Sequence, residues 1–247
     1  MSLARALLTC VQATCYQLAS TPPNKTPSKA RFDHNHPWYI RIAPMVFKVQ
    51  QPLVWLCTFA DIALILAQRA FSFTPPVSNV LTSTICPRPT TTPVHSATST
   101  PSIYAAPLFF LGVLFVIFGT LLRLACYRTL GSFFTFDLTI MPSHKLVTAG
   151  PYGIVRHPAY TGSLFAILGL SLVNLTQGGW VVECDILGRG AYGLVARVVL
   201  FMALYGWWLA VGVHRARAED QELKKIFGKE WDAYAAAVPW WFVPGVL

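Results

Sequence analysis

Two clusters of side chains in this sequence have the makings of chemistry. The first is the passage HKLVTAGPYGIVRHPAYTG, His144 to Gly162, which gathers two His, a Lys, an Arg, two Tyr, three Gly and two Pro into nineteen residues. Gly150-Pro151 and His157-Pro158 impose turn and helix-start geometry, since proline suits the first helical turn. A helix starting at Pro158 aims its free N–H groups, with their partial positive charge, back toward the passage, and that end favours a carboxylate. Gly162, one turn in, leaves space for a ligand to approach the helix. Tyr152 and Tyr160 bring rings and hydroxyls that grip an apolar or cationic ligand. A plain juxtamembrane anchor of basic and aromatic residues is the competing reading, and it calls for fewer turn-forming residues. The second cluster is Arg215 and Glu219, four apart and so on one helical face, with Asp220 and Glu222 following. A solvated pair of this kind is worth little, yet ionisable groups where a helix leaves a membrane often mark functional cavities.

The elements that must hold these groups are membrane helices. Of the 247 residues, 54% are hydrophobic and 12% charged, against about 25% charged in ordinary soluble domains. Four stretches approach the roughly 20 residues needed to cross a hydrocarbon core: 45–67, 104–126, 158–175 and 191–213. Lys48 and Asp61 interrupt the first, and the third is short. The nineteen Lys and Arg exceed the ten Asp and Glu, but they alternate between rich and poor segments along the chain. That is the positive-inside pattern of four spans with both termini cytosolic, not the footprint of a nucleic-acid partner. It puts the 144–162 passage and the C-terminal tail on the same side of the membrane. The reading is an all-α, polytopic membrane protein of four to five transmembrane helices with a C-terminal amphipathic helix. The stripe of that last helix is Leu223, Ile226, Phe227, Trp231 and Tyr234, and it lies on the membrane surface or covers a cavity. Trp240, Trp241 and Phe242 suit an interfacial belt. In chain order, residues 1–44 read as a flexible cytosolic leader with a frayed or interfacial start. Residues 45–103 are a first span and a Thr/Pro-rich loop, and 104–247 hold the chemistry.

Other patterns carry less. Gly188-Arg189-Gly190-Ala191-Tyr192-Gly193 fits GxGxxG, but a dinucleotide site needs a strand before it and a helix after it in a soluble unit; here it is a loop. His34 and His36 have no acidic or Cys partners nearby, and His95 and His214 are isolated, so no metal is expected. The six Cys form no CxxC pair. Cys86 and Cys184 both face the non-cytosolic side in this topology, which leaves a disulfide between them open. The chain ends PGVL and carries no prenylation box of its own.

The 144–162 passage is followed, after one more span, by RARAEDQELKKIFGKEWDAY and a terminal VP…VP. In this order the motifs resemble the isoprenylcysteine carboxyl methyltransferase family over about residues 104–247. The resemblance implies an enzyme of the endoplasmic reticulum membrane, multi-pass, with its cofactor site facing the cytosol. It would use S-adenosylmethionine to methylate the C-terminal carboxylate of prenylated proteins, at a farnesyl or geranylgeranyl cysteine, taken from the lipid bilayer and without a metal. Carried over, it implies a cofactor pocket of His144, Lys145, Leu146, Val147, Tyr152, Arg156, His157, Pro158, Ala159, Tyr160 and Glu219, with Asp137 seven residues before His144 as a further member. Arg215 corresponds to the arginine that meets the substrate carboxylate. Asp220 takes the second place of an acidic pair with Glu219, so that Arg215, Glu219 and Asp220 form the catalytic group. Two other readings stay open: the same pocket with a phospholipid amine or a small hydrophobic thiol or acid as acceptor, and a non-catalytic membrane scaffold.

Overall fold

Apolar chain in a bilayer has no water to satisfy its backbone, so it must close its hydrogen bonds within helices. The computed structural model describes residues 2–24, 37–70, 75–86, 101–137 and 145–246, and among these there are helices and turns but no strand. In chain order the helices are α1 (Ser2–Ser20), α2 (Trp38–Arg41), α3 (Ala43–Ala70), α4 (Pro75–Ile85), α5 (Pro107–Leu130), α6 (Pro158–Leu175), α7 (Trp180–Glu183), α8 (Gly190–Phe227) and α9 (Lys229–Ala237). Four helical stretches are long and apolar enough to cross a membrane: Ala43–Arg69, Pro107–Phe133, Pro158–Glu183 and Gly190–Phe227. They coincide with the four spans expected from the sequence. The fold is the all-α, polytopic one.

The described residues pack as two units, each discontinuous in sequence: 1–14 with 51–116 and 167–204, and 15–50 with 117–166 and 205–247. The packing therefore cuts across the sequence boundaries at residues 44 and 103.

In the first unit, fully buried Arg5 sets its Nε 2.8 Å from Asp61 Oδ2 and donates from Nη1 to the Tyr104 carbonyl at 2.9 Å. The other carboxylate oxygen of Asp61 accepts the Trp180 N–H at 2.7 Å. A buried charge needs a countercharge and filled hydrogen bonds, and each of these two residues supplies the other's. This is how Asp61 is tolerated inside an otherwise apolar span. It also corrects the expectation of a frayed N-terminus, because α1 is a helix with Arg5, Thr9 and Gln12 all buried. Arg5 of α1 thus packs against Asp61 of α3, the Tyr104 carbonyl before α5 and the Val173 carbonyl of α6. Nearby, Cys86 and Cys184 are joined in a disulfide against Leu64, Ile65 and Ile103.

In the second unit, α5 and α6 approach so closely at Gly119 and Gly162 that a Cβ on Gly162 would lie 2.7 Å from the Gly119 carbonyl oxygen. Small residues at such crossings let membrane helices pack backbone to backbone. Gly162 therefore serves helix packing, and the expectation that it opens the helix to a ligand is corrected. At the other end of the unit, α8 continues unbroken from its span into the charged tail and stops at Gly228, whose φ of 52° is left-handed. The single amphipathic helix expected there is thus two: the stripe breaks between Phe227 and Trp231. Trp231, Tyr234 and Val238 are buried together against Leu146 and Leu223, while Ile226 stays 44% exposed.

The residues after α9 fold back onto the start of α6. The Arg156 and His157 N–H groups donate to the Trp240 and Trp241 carbonyls, each at 2.9 Å, and Thr161 Oγ1 donates to the Phe242 carbonyl at 2.8 Å. A helix start leaves N–H groups without intrahelical acceptors, and this stretch supplies acceptors next to it. The Trp-Trp-Phe run therefore straps the start of α6, with Phe242 buried and Trp240 38% exposed.

Candidate active site

Along α8, Trp208, Val211, Gly212, Arg215, Glu219, Glu222 and Leu223 recur at helical spacing and share one face. That face looks into a cavity of about 180 Å³ that lies wholly within the second unit. Residues 145–147, Tyr152 and the first turns of α6 form a second wall, and Trp231 and Tyr234 of α9 close over it. The remaining wall is aromatic: Phe47 of α3, and Phe133, Phe134 and Phe136 just past α5. Polar groups and an apolar, ring-lined pocket thus adjoin in one space.

The anion of the cavity is Glu219. Its Oε1 accepts a hydrogen bond from the Tyr160 hydroxyl, its Oε2 lies 3.3 Å from His157 Nδ1, and 32% of its side chain remains open. His157 reaches a second carboxylate through Nε2, 2.7 Å from Asp220 Oδ1. Burial alone would lower the histidine pKa, but the hydrogen bonds to Asp220 and Glu219 outweigh it and raise it from 6.5 to about 9. His157 is therefore an imidazolium near neutral pH and donates from both nitrogens. Asp220 is held further by Arg156 Nε at 3.5 Å and by the Trp241 indole N–H at 3.0 Å. Trp241 itself lies under two cations, with Arg156 Cζ 5.9 Å and Arg217 Cζ 5.6 Å from its ring centroid. Burial pushes the Tyr152 hydroxyl well above its usual pKa, so it stays neutral. The Tyr152 carbonyl takes the Tyr234 hydroxyl at 2.8 Å, which fastens α9 to this wall.

Three cavity-lining residues have a buried donor without a hydrogen-bond acceptor, and one of these donors, Arg156 Nε, has only its ion-pair contact with Asp220 at 3.5 Å. Arg215, 7% exposed, gives Nη2 to the Phe136 carbonyl, but its buried Nε has no partner; neither has the buried indole N–H of Trp208. Buried polar groups are nearly always paired, so the Arg215 and Trp208 donors point to atoms that a ligand brings.

The structure brings together Asp137, Lys145, Leu146, Val147, Tyr152, Arg156, His157, Ala159, Tyr160, Arg215 and Glu219, all of which line the cavity. His144 lies outside the described residues. Pro158 and Asp220 do not line the cavity. Pro158 starts α6, and Asp220 contacts His157, Arg156 and Trp241. The sequence reading missed Phe47, Arg123, Phe136 and Trp208. Arg123 was visible as a charge inside a span, and that is the signal that would have found it; the aromatics have no local signature.

Residues 111–187 match the model of the isoprenylcysteine carboxyl methyltransferase family. Protein-S-isoprenylcysteine O-methyltransferase B of Arabidopsis thaliana is 34% identical over 130 residues, 52% of this chain and 55% of its own length. The human protein-S-isoprenylcysteine O-methyltransferase is 33% identical over 132 residues, 52% of this chain and 38% of its own. Delta(14)-sterol reductase ERG24B of Gibberella zeae is 30% identical over 116 residues, 41% of this chain and 24% of its own. The chain spans about half the length of the first of these relatives.

Proposed function

Because residues 111–187 match the model of the isoprenylcysteine carboxyl methyltransferase family, we propose that the chain belongs to that family and methylates the C-terminal carboxylate of prenylated proteins. The methyl donor is S-adenosylmethionine, and the protein sits in the endoplasmic reticulum membrane with its cavity toward the cytosol. The observation that carries this reading is the pairing of an open carboxylate, Glu219, with the acceptor-less Arg215 Nε one helical turn away in a ring-lined cavity.

The residues present fit a cationic donor and an anionic, greasy acceptor. When bound, S-adenosylmethionine would supply a methyl group on a positively charged sulfur, which would keep the electron pair of the broken S–C bond as the methyl passes to a carboxylate oxygen; the acceptor carboxylate is already ionised near neutral pH. Glu219 offers the countercharge for that donor, and Tyr160 and His157 fix its two oxygens in place. Lys145 to Val147 and Tyr152 wall the donor pocket. Arg215 orients the acceptor carboxylate, and its one filled bond, to the Phe136 carbonyl, fixes where the guanidinium stands. The aromatic wall keeps water from the nucleophile and receives the apolar chain. No general base is needed, so the protein's task is alignment and desolvation.

The test is to incubate membranes holding the protein with methyl-labelled S-adenosylmethionine and N-acetyl-S-farnesylcysteine. Base-labile methyl ester is expected, with Arg215→Ala and Glu219→Gln removing it. Label appearing only in lipid amines, or loss of a sterol C14 double bond in place of methyl transfer, would overturn the reading.

A further inference from the structure

Arg123 of α5 is 4% exposed and lines the same cavity. Its bonds all go to neutral oxygens: the carbonyls of Ala19 and Ala159 and the hydroxyls of Tyr127 and Ser163. Nη2 makes one bond, to Tyr127 at 2.9 Å, although it carries two hydrogens. Among the described residues no carboxylate pairs with it. Among the described residues the carboxylates of the cavity wall are Asp137, Glu219 and Glu222, and Glu219 is already matched by the His157 imidazolium. A guanidinium keeps its charge, and a buried charge without a countercharge is strongly unfavourable. Rings around it soften the cost: Arg123 Cζ lies 5.2 Å from the Phe47 centroid and 5.0 Å from that of Phe136.

The same rings connect Arg123 to two of the donors that lack acceptors, Arg215 Nε and the Trp208 N–H. Phe136 lies against Arg123 with its ring and accepts Arg215 Nη2 with its carbonyl. The Phe47 ring packs tilted against that of Trp208, centroids 4.3 Å apart, and the Trp208 N–H has no partner. One uncompensated cation and two unfilled donors thus surround one pair of phenylalanines. A single ligand group meets all three needs if it is anionic and has several acceptor lone pairs, which is the description of a carboxylate.

We propose that Arg123 is a second recognition residue for the acceptor: together with Arg215 it holds the acceptor carboxylate over Phe136, and so makes the cavity selective for acids over their neutral amides. This rests on the methyltransferase reading above but goes beyond it, since that reading uses Arg215 alone. The chemistry recognised is an apolar thioether carrying a free carboxylate.

The test compares direct binding of N-acetyl-S-farnesylcysteine with that of its carboxamide, by isothermal titration of the purified protein, in wild type, Arg123→Gln and Arg123→Lys, with ester formation assayed separately. Wild type should prefer the acid to the amide. Arg123→Gln should lose about tenfold or more of that preference, the usual worth of a charged hydrogen bond, with the affinity for S-adenosylmethionine unchanged. Arg123→Lys should recover part of it, because the charge returns without the fork. If Arg123 only ties α5 to α6, both variants will lower the thermal midpoint and weaken acid and amide equally, and the proposal is overturned. Wild-type protein that makes no ester yet still prefers acid to amide would sink the reaction and leave this inference standing; ester formation with an unchanged acid preference in Arg123→Gln does the reverse.

Discussion

His157 Nε2 lies 2.7 Å from Asp220 Oδ1, across the 63 residues that separate the start of α6 from the middle of the tail. This contact couples the two sequence motifs, and it does so through charge. With its pKa raised to about 9 from 6.5, His157 favours folding most when it is protonated. The sign is that of a folded-state pKa lying above the unfolded one. The contribution is complete below pH 6.5 and disappears as pH rises through about 9. Thermal unfolding of the detergent-solubilised protein between pH 6 and 10 should therefore show wild type ahead of His157→Gln at low pH, with the gap closing by pH 9 to 10. A gap of constant size across that range would show that His157 acts by packing alone.

Glu219 and Asp220 are neighbours with different duties, and substitution should separate them. Glu219 is open to the cavity, whereas Asp220 touches His157, Arg156 and Trp241 and no part of the cavity surface. Glu219→Gln removes the anion that faces a cationic donor. We expect donor affinity to fall about tenfold to a hundredfold, as for loss of a charged hydrogen bond. Asp220→Asn keeps the shape and an acceptor for Trp241, and its effect on donor affinity should be less than about tenfold, through a looser His157. Isothermal binding of S-adenosylmethionine to the purified variants decides this. Equal losses would place both carboxylates on the ligand and refute the division of labour.

What the sequence disclosed and what it hid follow a physical line. Spans, helix starts at proline and the Arg215–Glu219 pair are local in the chain, and composition and spacing reveal them. Partners set by tertiary contact are not local. Nothing near Arg5 announces that its countercharge is Asp61, so the N-terminus read as frayed, and α1 was missed as a packed helix. Gly162 next to a motif reads as access to a ligand until Gly119 is seen against it. The Trp-Trp-Phe run has the composition of a membrane belt, and only the free N–H groups of Arg156 and His157 show why its backbone turns inward. The cavity's carboxylate and arginine were legible as motif residues. Its aromatic wall came from two segments far apart in the chain and was not.

The C-terminal strap should matter through its backbone and through one ring. Phe242 is 2% exposed, and its ring centroid lies 6.2 Å from that of Tyr160, the residue that fixes Glu219. Phe242→Ala should cost about 3 kcal/mol, the low end for emptying a buried phenylalanine site, and should weaken donor binding with it. Trp241→Phe keeps an aromatic ring under Arg156 and Arg217 but drops the N–H that holds Asp220 at 3.0 Å. Its cost should be nearer the ~1 kcal/mol of a single hydrogen bond. Thermal midpoints of the two variants rank them; a larger loss for Trp241→Phe would mean that the indole, not the buried phenyl ring, pins the strap.

The α5–α6 crossing offers a test with an internal control. At Gly162 a methyl group would meet the Gly119 carbonyl oxygen at 2.7 Å and Arg123 Cγ at 2.8 Å, and neither the backbone nor a side chain fixed by five hydrogen bonds gives way cheaply. At Gly206, on α8, a methyl group would meet nothing within 4 Å. Gly162→Ala should therefore destabilise by about 1–3 kcal/mol through overpacking. Gly206→Ala should be neutral or raise stability by up to ~1 kcal/mol, since alanine favours a helix interior. Because the displaced Arg123 lines the cavity, Gly162→Ala should also raise the KM for the acceptor, and Gly206→Ala should leave it alone. Both variants are helical glycines on the same chain, so helix propensity cannot produce a difference in sign. Equal thermal midpoints for the two would mean that α5 and α6 are not in backbone contact at this level.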